Sequence, residues 1–240
     1  MDLYSTEKGS EWKEKADKLF TPQDCIEVFN NIAEAGLMPE PDKDITIASV
    51  ASNIPTLELA LYEDLKIKRT GKVTVITGDR VTLQIPPTIK QNINVSNDNI
   101  YHIVWDAKNL PLPNKSVDVI YDKKGALWYL ASTNLINIFI GCLESYRSKL
   151  KDGGIVVIDN IEGFTEWGSE LDYIADEFGR GFADKVLQKY NADQSQQELS
   201  TVDRITKAFG QEIWLEISRM FHIVDVGIGK HKVRVLVAYS

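Results

Sequence analysis

Four aspartates follow short apolar, β-branched runs at the point where each run gives way to a turn. They are Asp79 after Lys72 to Thr77 (KVTVIT) and Gly78, Asp106 after Ile100 to Trp105 (IYHIVW), Asp122 after Val117 to Tyr121 (VDVIY), and Asp159 after Ile155 to Ile158 (IVVI). A fifth run, Ile45 to Val50 (ITIASV), leads into small and polar residues, Ser49-Val50-Ala51-Ser52-Asn53. A carboxylate at a strand end offers two acceptor oxygens, enough to take a pair of sugar hydroxyls or an amino group, or to act as a base. Each such residue alone also suits a helix cap or a turn. Asp79 fits a Gly-Asp hairpin turn equally well, and Asp122 an ion pair with Lys123 or Lys124. The coincidence of all five ends is the stronger signal, because open α/β sheets bind ligands beyond the carboxyl ends of their strands.

Aromatic residues supply a second set. Trp128, Tyr129, Phe164 and Trp167 could wall a small apolar pocket that excludes water, or pack as ordinary core. Asp122, Tyr129 and Asp159 are the candidate bases. Among three histidines, His102 lies inside a strand and suits the sheet face, while His231 beside Lys230 suits a solvated turn. There is no HExxH, CxxC or GxSxG, and Cys25 and Cys142 stand far apart, so no metal site is expected and the common serine hydrolase elbow is absent. Lys66, Lys68, Arg69 and Lys72 read as a solvated basic face.

The elements that must position these residues follow from periodicity. Pro22 and Asp24 after Thr21 open a helix with Cys25, Ile26, Phe29, Ile32 and Ala33 on one face, and Gly36 ends it. Ile45 to Val50 is a strand, and Pro55 to Leu65 a helix. Lys72 to Thr77, Ile100 to Trp105 and Val117 to Tyr121 are further strands, and Arg80 to Ile85 would allow a hairpin. Thr133 to Leu150 has helical spacing and stops at Lys151-Asp152-Gly153-Gly154; Ile155 to Ile158 is strand five. Residues 160–193 form an aromatic, polar insertion or lid, followed by a helix from about Gln197 to Met220. Phe221 to Val226 and Val233 to Ala238 read as an antiparallel pair. With residues 1–43 as a helical segment, the expectation is a single α/β domain over 1–240. It has a Rossmann-like, mostly parallel seven-stranded sheet, helices on both faces and an antiparallel terminal pair.

Composition narrows the function. The 240 residues carry 27 Lys and Arg against 35 Asp and Glu, a net charge of −8, which disfavours nucleic acid as a partner. No apolar run reaches the roughly 20 residues of a membrane span, and the polar N-terminus does not suit a secretory signal. A soluble, cytoplasmic protein without a membrane partner is expected.

The segment Trp105 to Asp122, WDAKNLPLPNKSVDVIYD, resembles the third-strand region of the class I S-adenosylmethionine-dependent methyltransferases, and Tyr146 to Ile155, YRSKLKDGGI, their helix end and fifth strand. The likeness runs from about Asp44 to Ser240. Asp122 to Leu127 is also similar to the Asp-Lys-Gly segment of a protein-lysine and small-molecule methyltransferase subgroup, with one extra lysine. The resemblance implies S-adenosylmethionine as cofactor. Ser49, Ala51 and Asn53 would form its first turn, Asp79 would hold the ribose hydroxyls, and Asp106 with Ala107 would hold the adenine. Asp122 would face the methionine part or the methyl acceptor. The first turn departs from the family, with neither its glycines nor its acid, so the methionine half is expected to be held weakly. Methyl transfer to a small-molecule substrate is the function implied. The alternatives are a catalytically silent methyltransferase-like binding or regulatory domain and a nicotinamide-dependent oxidoreductase, the latter disfavoured because pyrophosphate must sit on that turn.

Overall fold

A computed structural model describes residues 22–50, 56–79, 99–122, 125–132, 135–160, 201–228 and 231–239. Pro22–Asn160 and Thr201–Ser240 pack as one compact unit; a second unit, Met1–Thr21 with Ile161–Ser200, lies outside the described residues. So do the hairpin expected at 80–85 and nearly all of the expected lid.

The chain enters through α1 (Pro22–Glu34), which buries Cys25, Val28, Phe29 and Ile32 along one stripe. Gly36 ends it as expected, at φ +70°, with its amide bonded to the Ala33 carbonyl and the Leu37 amide to that of Ile32. β1 (Ile45–Val50), α2 (Thr56–Lys68), β2 (Val73–Asp79), β3 (Ile100–Val104) and β4 (Val117–Tyr121) follow. A short helix that the sequence reading does not name, α3 (Ala126–Ser132), comes next; the helix expected over 133–150 is α4 (Ile136–Lys149), and β5 (Leu150–Asn160) follows. The expected helix over 197–220 is two, α5 (Thr201–Phe209) and α6 (Ile213–Ser218), because Gly210 between them adopts φ +75°. β6 (Phe221–Ile228) and β7 (His231–Ala238) close the chain.

These strands form one seven-stranded sheet in the order β3-β2-β1-β4-β5-β7-β6. β1 to β5 are mutually parallel, and β7 inserts antiparallel between β5 and β6. This is the Rossmann-like sheet expected from the βαβ alternation. Alternate residues of each strand face opposite sides. Ala48, Val50, Ile120, Val156, Ile158 and Leu236 join the core made with α3 to α6, where Leu127, Phe139, Leu143, Tyr146 and Ile217 are buried. Ile45, Ile47, Val119 and Tyr121 turn to the face of α1 and α2, where Phe29 meets Tyr121 edge-on at 5.3 Å. Each such large side chain contributes about 1.5 to 3 kcal/mol of burial.

Two polar pins hold the opposite, amino end of the sheet. Asp118 accepts the Thr46 amide at 2.8 Å and the Lys151 ammonium at 2.7 Å, tying β1, β4 and β5. Arg69 is part-buried rather than on a solvated face: its guanidinium donates to the carbonyls of Pro39, Glu40 and Lys43 and fixes the approach to β1. Lys68 does remain at the surface, paired with Asp64 at 2.8 Å.

Gly78, near the end of β2, has no room for a side chain. A Cβ there would lie 2.5 Å from Cε2 of the buried Trp105 indole and 2.5 Å from the Ile103 carbonyl oxygen. The indole that precedes Asp106 thus rests on the strand that ends in Asp79. Gly78→Ala is expected to destabilise the protein by about 1 to 3 kcal/mol through overpacking and to shift Trp105 fluorescence, as read by urea titration; an unchanged midpoint would show that the indole does not sit there.

Candidate functional site

Strand order reverses between β1 and β4, and the helices that follow these two strands leave on opposite faces. Their carboxyl ends are therefore the switch point at which sheets of this kind leave a crevice for ligands. Register places the expected residues along this rim. Ser49 pairs with Thr77 and with Tyr121, the residue before Asp122. Asp79 pairs with Val104, two residues before Asp106, and Asp159, next to last in β5, pairs with Val233. Across the sheet the order is Asp106, Asp79, Ser49, Asp122, Asp159. The side chains of Asp79, Tyr129 and Asp159, and the whole of Ala51, Asn53, Phe164 and Trp167, lie outside the described residues.

Asp106 opens a tight turn. Its Oδ1 accepts the Lys108 amide at 3.0 Å, its backbone bridges Asn109, and its side chain stays 44 % exposed with the Lys108 ammonium 3.8 Å from Oδ2. The carboxylate is therefore presented at the rim with acceptor capacity to spare. Ala107 is buried, and its carbonyl accepts the Cys142 thiol at 3.6 Å. Burial pushes that thiol up to about 12, so Cys142 is an inert part of the core.

Asp122 is wholly buried and points into the α4 face. Its Oδ2 accepts the Tyr146 hydroxyl at 2.8 Å and the Leu127 amide at 3.1 Å, which caps α3 and ties β4 to α4. Burial raises its carboxyl to about 6, only partly offset by the Tyr146 hydroxyl and the Leu127 and Gly125 amides. The same burial and the facing carboxylate hold the Tyr146 phenol well above its ordinary value. Trp128, one residue after Leu127, is buried with the Arg204 guanidinium carbon 3.5 Å over its ring.

Two features escaped the sequence reading. Ser49, Thr77 and His102 lie side by side on three neighbouring strands, with Thr77 Oγ1 2.7 Å from His102 Nδ1. His102 is therefore part of a polar row on the α2 face of the sheet. At the other end of that row the Ser49 hydroxyl donates to Glu58 Oε1 at 2.6 Å. Glu58 sits in the first turn of α2 and is 6 % exposed. The sequence reading does not name it; only the spatial return of α2 over β1 brings it to the end of that strand.

Among the described residues no group of three or more His, Cys, Asp or Glu could hold a metal ion, and no helix is long and apolar enough to cross a membrane. A shallow groove lined by Asn114 and Lys115 before β4, Glu144, Arg147 and Ser148 in the last turns of α4, and Met220 before β6 holds none of the expected residues.

No family model matches the sequence, and no curated protein sequence matches it. Solved structures do match. A candidate S-adenosyl-L-methionine-dependent methyltransferase from Methanococcus maripaludis superimposes with a TM-score of 0.53 at 20% identity, over 97% of this chain and 93% of that one. A candidate methyltransferase in complex with the Trm112 methyltransferase activator of Haloferax volcanii gives 0.51 at 15% identity, over 98% of each chain. The CurJ carbon methyltransferase gives 0.54 at 16% identity, where this whole chain spans 57% of the other. These likenesses show a fold shared with the class I methyltransferases.

The buried Asp122 makes a pH prediction. A carboxyl raised from 3.8 to about 6 stabilises the folded state fully at low pH, and this contribution is lost as pH rises from about 4 to 6. Asp122→Asn has no such loss. Its stability relative to wild type is expected to rise by roughly 2 to 3 kcal/mol between pH 4 and pH 7 in urea titrations; parallel pH profiles would contradict the assignment.

Proposed function

We propose that this chain, which has the fold of the class I S-adenosylmethionine-dependent methyltransferases, binds S-adenosylmethionine and transfers its methyl group to a small-molecule acceptor. The observation that carries this reading is the placing of Asp79 and Asp106 at neighbouring strand ends beside the switch point, with the Asp106 carboxylate presented at the rim. Two aspartates on adjacent strand ends suit a ribose and an adenine amino group. The Asp106 turn fits such a role because only Oδ1 is engaged by its own backbone.

When bound, the cofactor supplies an activated methyl on a sulfonium. The protein's share is to hold donor and acceptor in line and to keep water out. In this reading Asp79 and Asp106 hold the adenosine half. Asp122 fixes the wall of the site through α3 and Tyr146, and faces the methionine half only by way of that wall. Trp128 and Tyr129 on α3 are the aromatics proposed for the acceptor side, Phe164 and Trp167 lying outside the described residues, and Asp159 and Tyr129 are the groups proposed to take a proton if the acceptor must lose one. A reducing, cytoplasmic setting suits the two buried cysteines, which lie far apart in the sequence.

A second reading is favoured by one feature: the connection after β1 carries no glycine, where close backbone approach to a ligand is easiest with glycine. It is a catalytically silent domain on the same fold. Calorimetry separates the two. Wild type is expected to bind both S-adenosylmethionine and methylthioadenosine. Asp106→Ala and Asp79→Ala should each weaken both ligands about tenfold or more, since a hydrogen bond to a charged group is worth about 1.5 to 3 kcal/mol. No heat with either ligand on wild type would reject the enzyme reading; unchanged affinity in Asp106→Ala would move the adenine elsewhere.

A further inference from the structure

Glu58 is a buried carboxylate with an unmet oxygen and no structural task beyond one hydroxyl. Its Oε1 is engaged by the Ser49 hydroxyl at 2.6 Å, whereas Oε2 is buried and has no hydrogen-bond partner among the described residues. A carboxylate oxygen withdrawn from water without a donor costs free energy that an apolar residue of similar size would not. No ion pair among the described residues offsets it. The position is specific. Ser49 is the fifth of six residues in β1, so the carboxylate lies at the carboxyl end of the strand that borders the switch point. It stands on the α2 face, and Asp122 lies on the opposite, α4 face one step along β4. Two buried acids thus stand on the two faces of the sheet beside the switch point. Each has one buried oxygen without a donor, but Asp122 Oδ2 holds both a hydroxyl and an amide that build the α3 and α4 wall, while Glu58 is held by the Ser49 hydroxyl alone.

We infer that Glu58 is a binding residue for a cationic amino group on the ligand's amino-acid half, with Ser49 as the positioning residue that orients its carboxylate. This rests on the proposed binding of S-adenosylmethionine and deepens it. The sequence departs from the methyltransferase pattern by having no acid in the first strand; here the negative charge enters from the helix, nine residues after Ser49. A donor brought by the ligand satisfies Oε2 at the moment of binding, and an ammonium does so with charge assistance. A ligand that ends at the thioether has no such donor and gains nothing from Glu58.

Three adenosyl ligands test this by calorimetry at one pH and salt concentration. S-adenosylmethionine has both sulfonium and ammonium, S-adenosylhomocysteine only the ammonium, and methylthioadenosine neither. Glu58→Gln is expected to weaken S-adenosylmethionine and S-adenosylhomocysteine about tenfold each and to leave methylthioadenosine unchanged, with a melting temperature no lower than wild type. Ser49→Ala should show the same pattern at about threefold, and carries the test if Glu58→Gln does not fold. Equal loss for all three ligands, no loss for any, or loss for S-adenosylmethionine alone would overturn the assignment while leaving cofactor binding intact. Failure of wild type to bind any of the three would overturn both.

Discussion

Everything at the candidate site depends on the reversal of strand order between β1 and β4. Parallel strands need crossovers, and crossovers are right-handed, so a chain that builds outward from β1 in one direction and then returns to β4 must send its helices to opposite faces. The two strand ends are then left without a helix between them. That gap cannot be closed by better packing, because it is a property of the winding. The strand-end acids acquire a shared direction only because the winding makes one rim of them.

Within this frame the two buried carboxylates behave differently. Asp122 is drawn inward: one oxygen caps α3 and holds Tyr146, so the residue after β4 organises the wall of the crevice. Its raised carboxyl value is the cost of that placement, since burial opposes the charge more than a phenol and backbone amides favour it. Glu58 is drawn toward the strand end, where its engaged oxygen holds only the Ser49 hydroxyl. Each acid keeps one buried oxygen without a donor among the described residues, Asp122 Oδ1 and Glu58 Oε2. What separates them is the oxygen that is engaged: that of Asp122 ties α3 and Tyr146 to β4, an architectural task, whereas that of Glu58 holds a single strand-end hydroxyl.

The sheet was legible in the sequence because parallel strands buried on both faces read as short β-branched runs, and each run from Ile45 to Ala238 ended at a turn signal. What failed was helix continuity. Gly210 sits in a stretch whose apolar spacing continues through it, so only its left-handed backbone shows that α5 and α6 are separate. The short helix before α4 is a separate case: Leu127 and Trp128 belong to α3, which is held by the Asp122 carboxylate, a bond that no periodicity encodes. At the site, Asp79, Asp106 and Asp122 could be named because they follow strands directly. Glu58 could not, since its role comes from the angle at which α2 packs back on β1. Arg69 was misjudged for a related reason: a basic cluster looks solvated until three backbone carbonyls are found around one member of it.

The most direct measurement is a crystal structure of the wild-type protein soaked with S-adenosylhomocysteine. The ribose is expected within hydrogen-bond distance of Asp79, the adenine beside Asp106, and the ligand's amino group on the crevice side of Glu58. Density for the ligand elsewhere on the molecule, or a crevice still empty at millimolar ligand, would contradict the assignment of this fold to adenosyl binding.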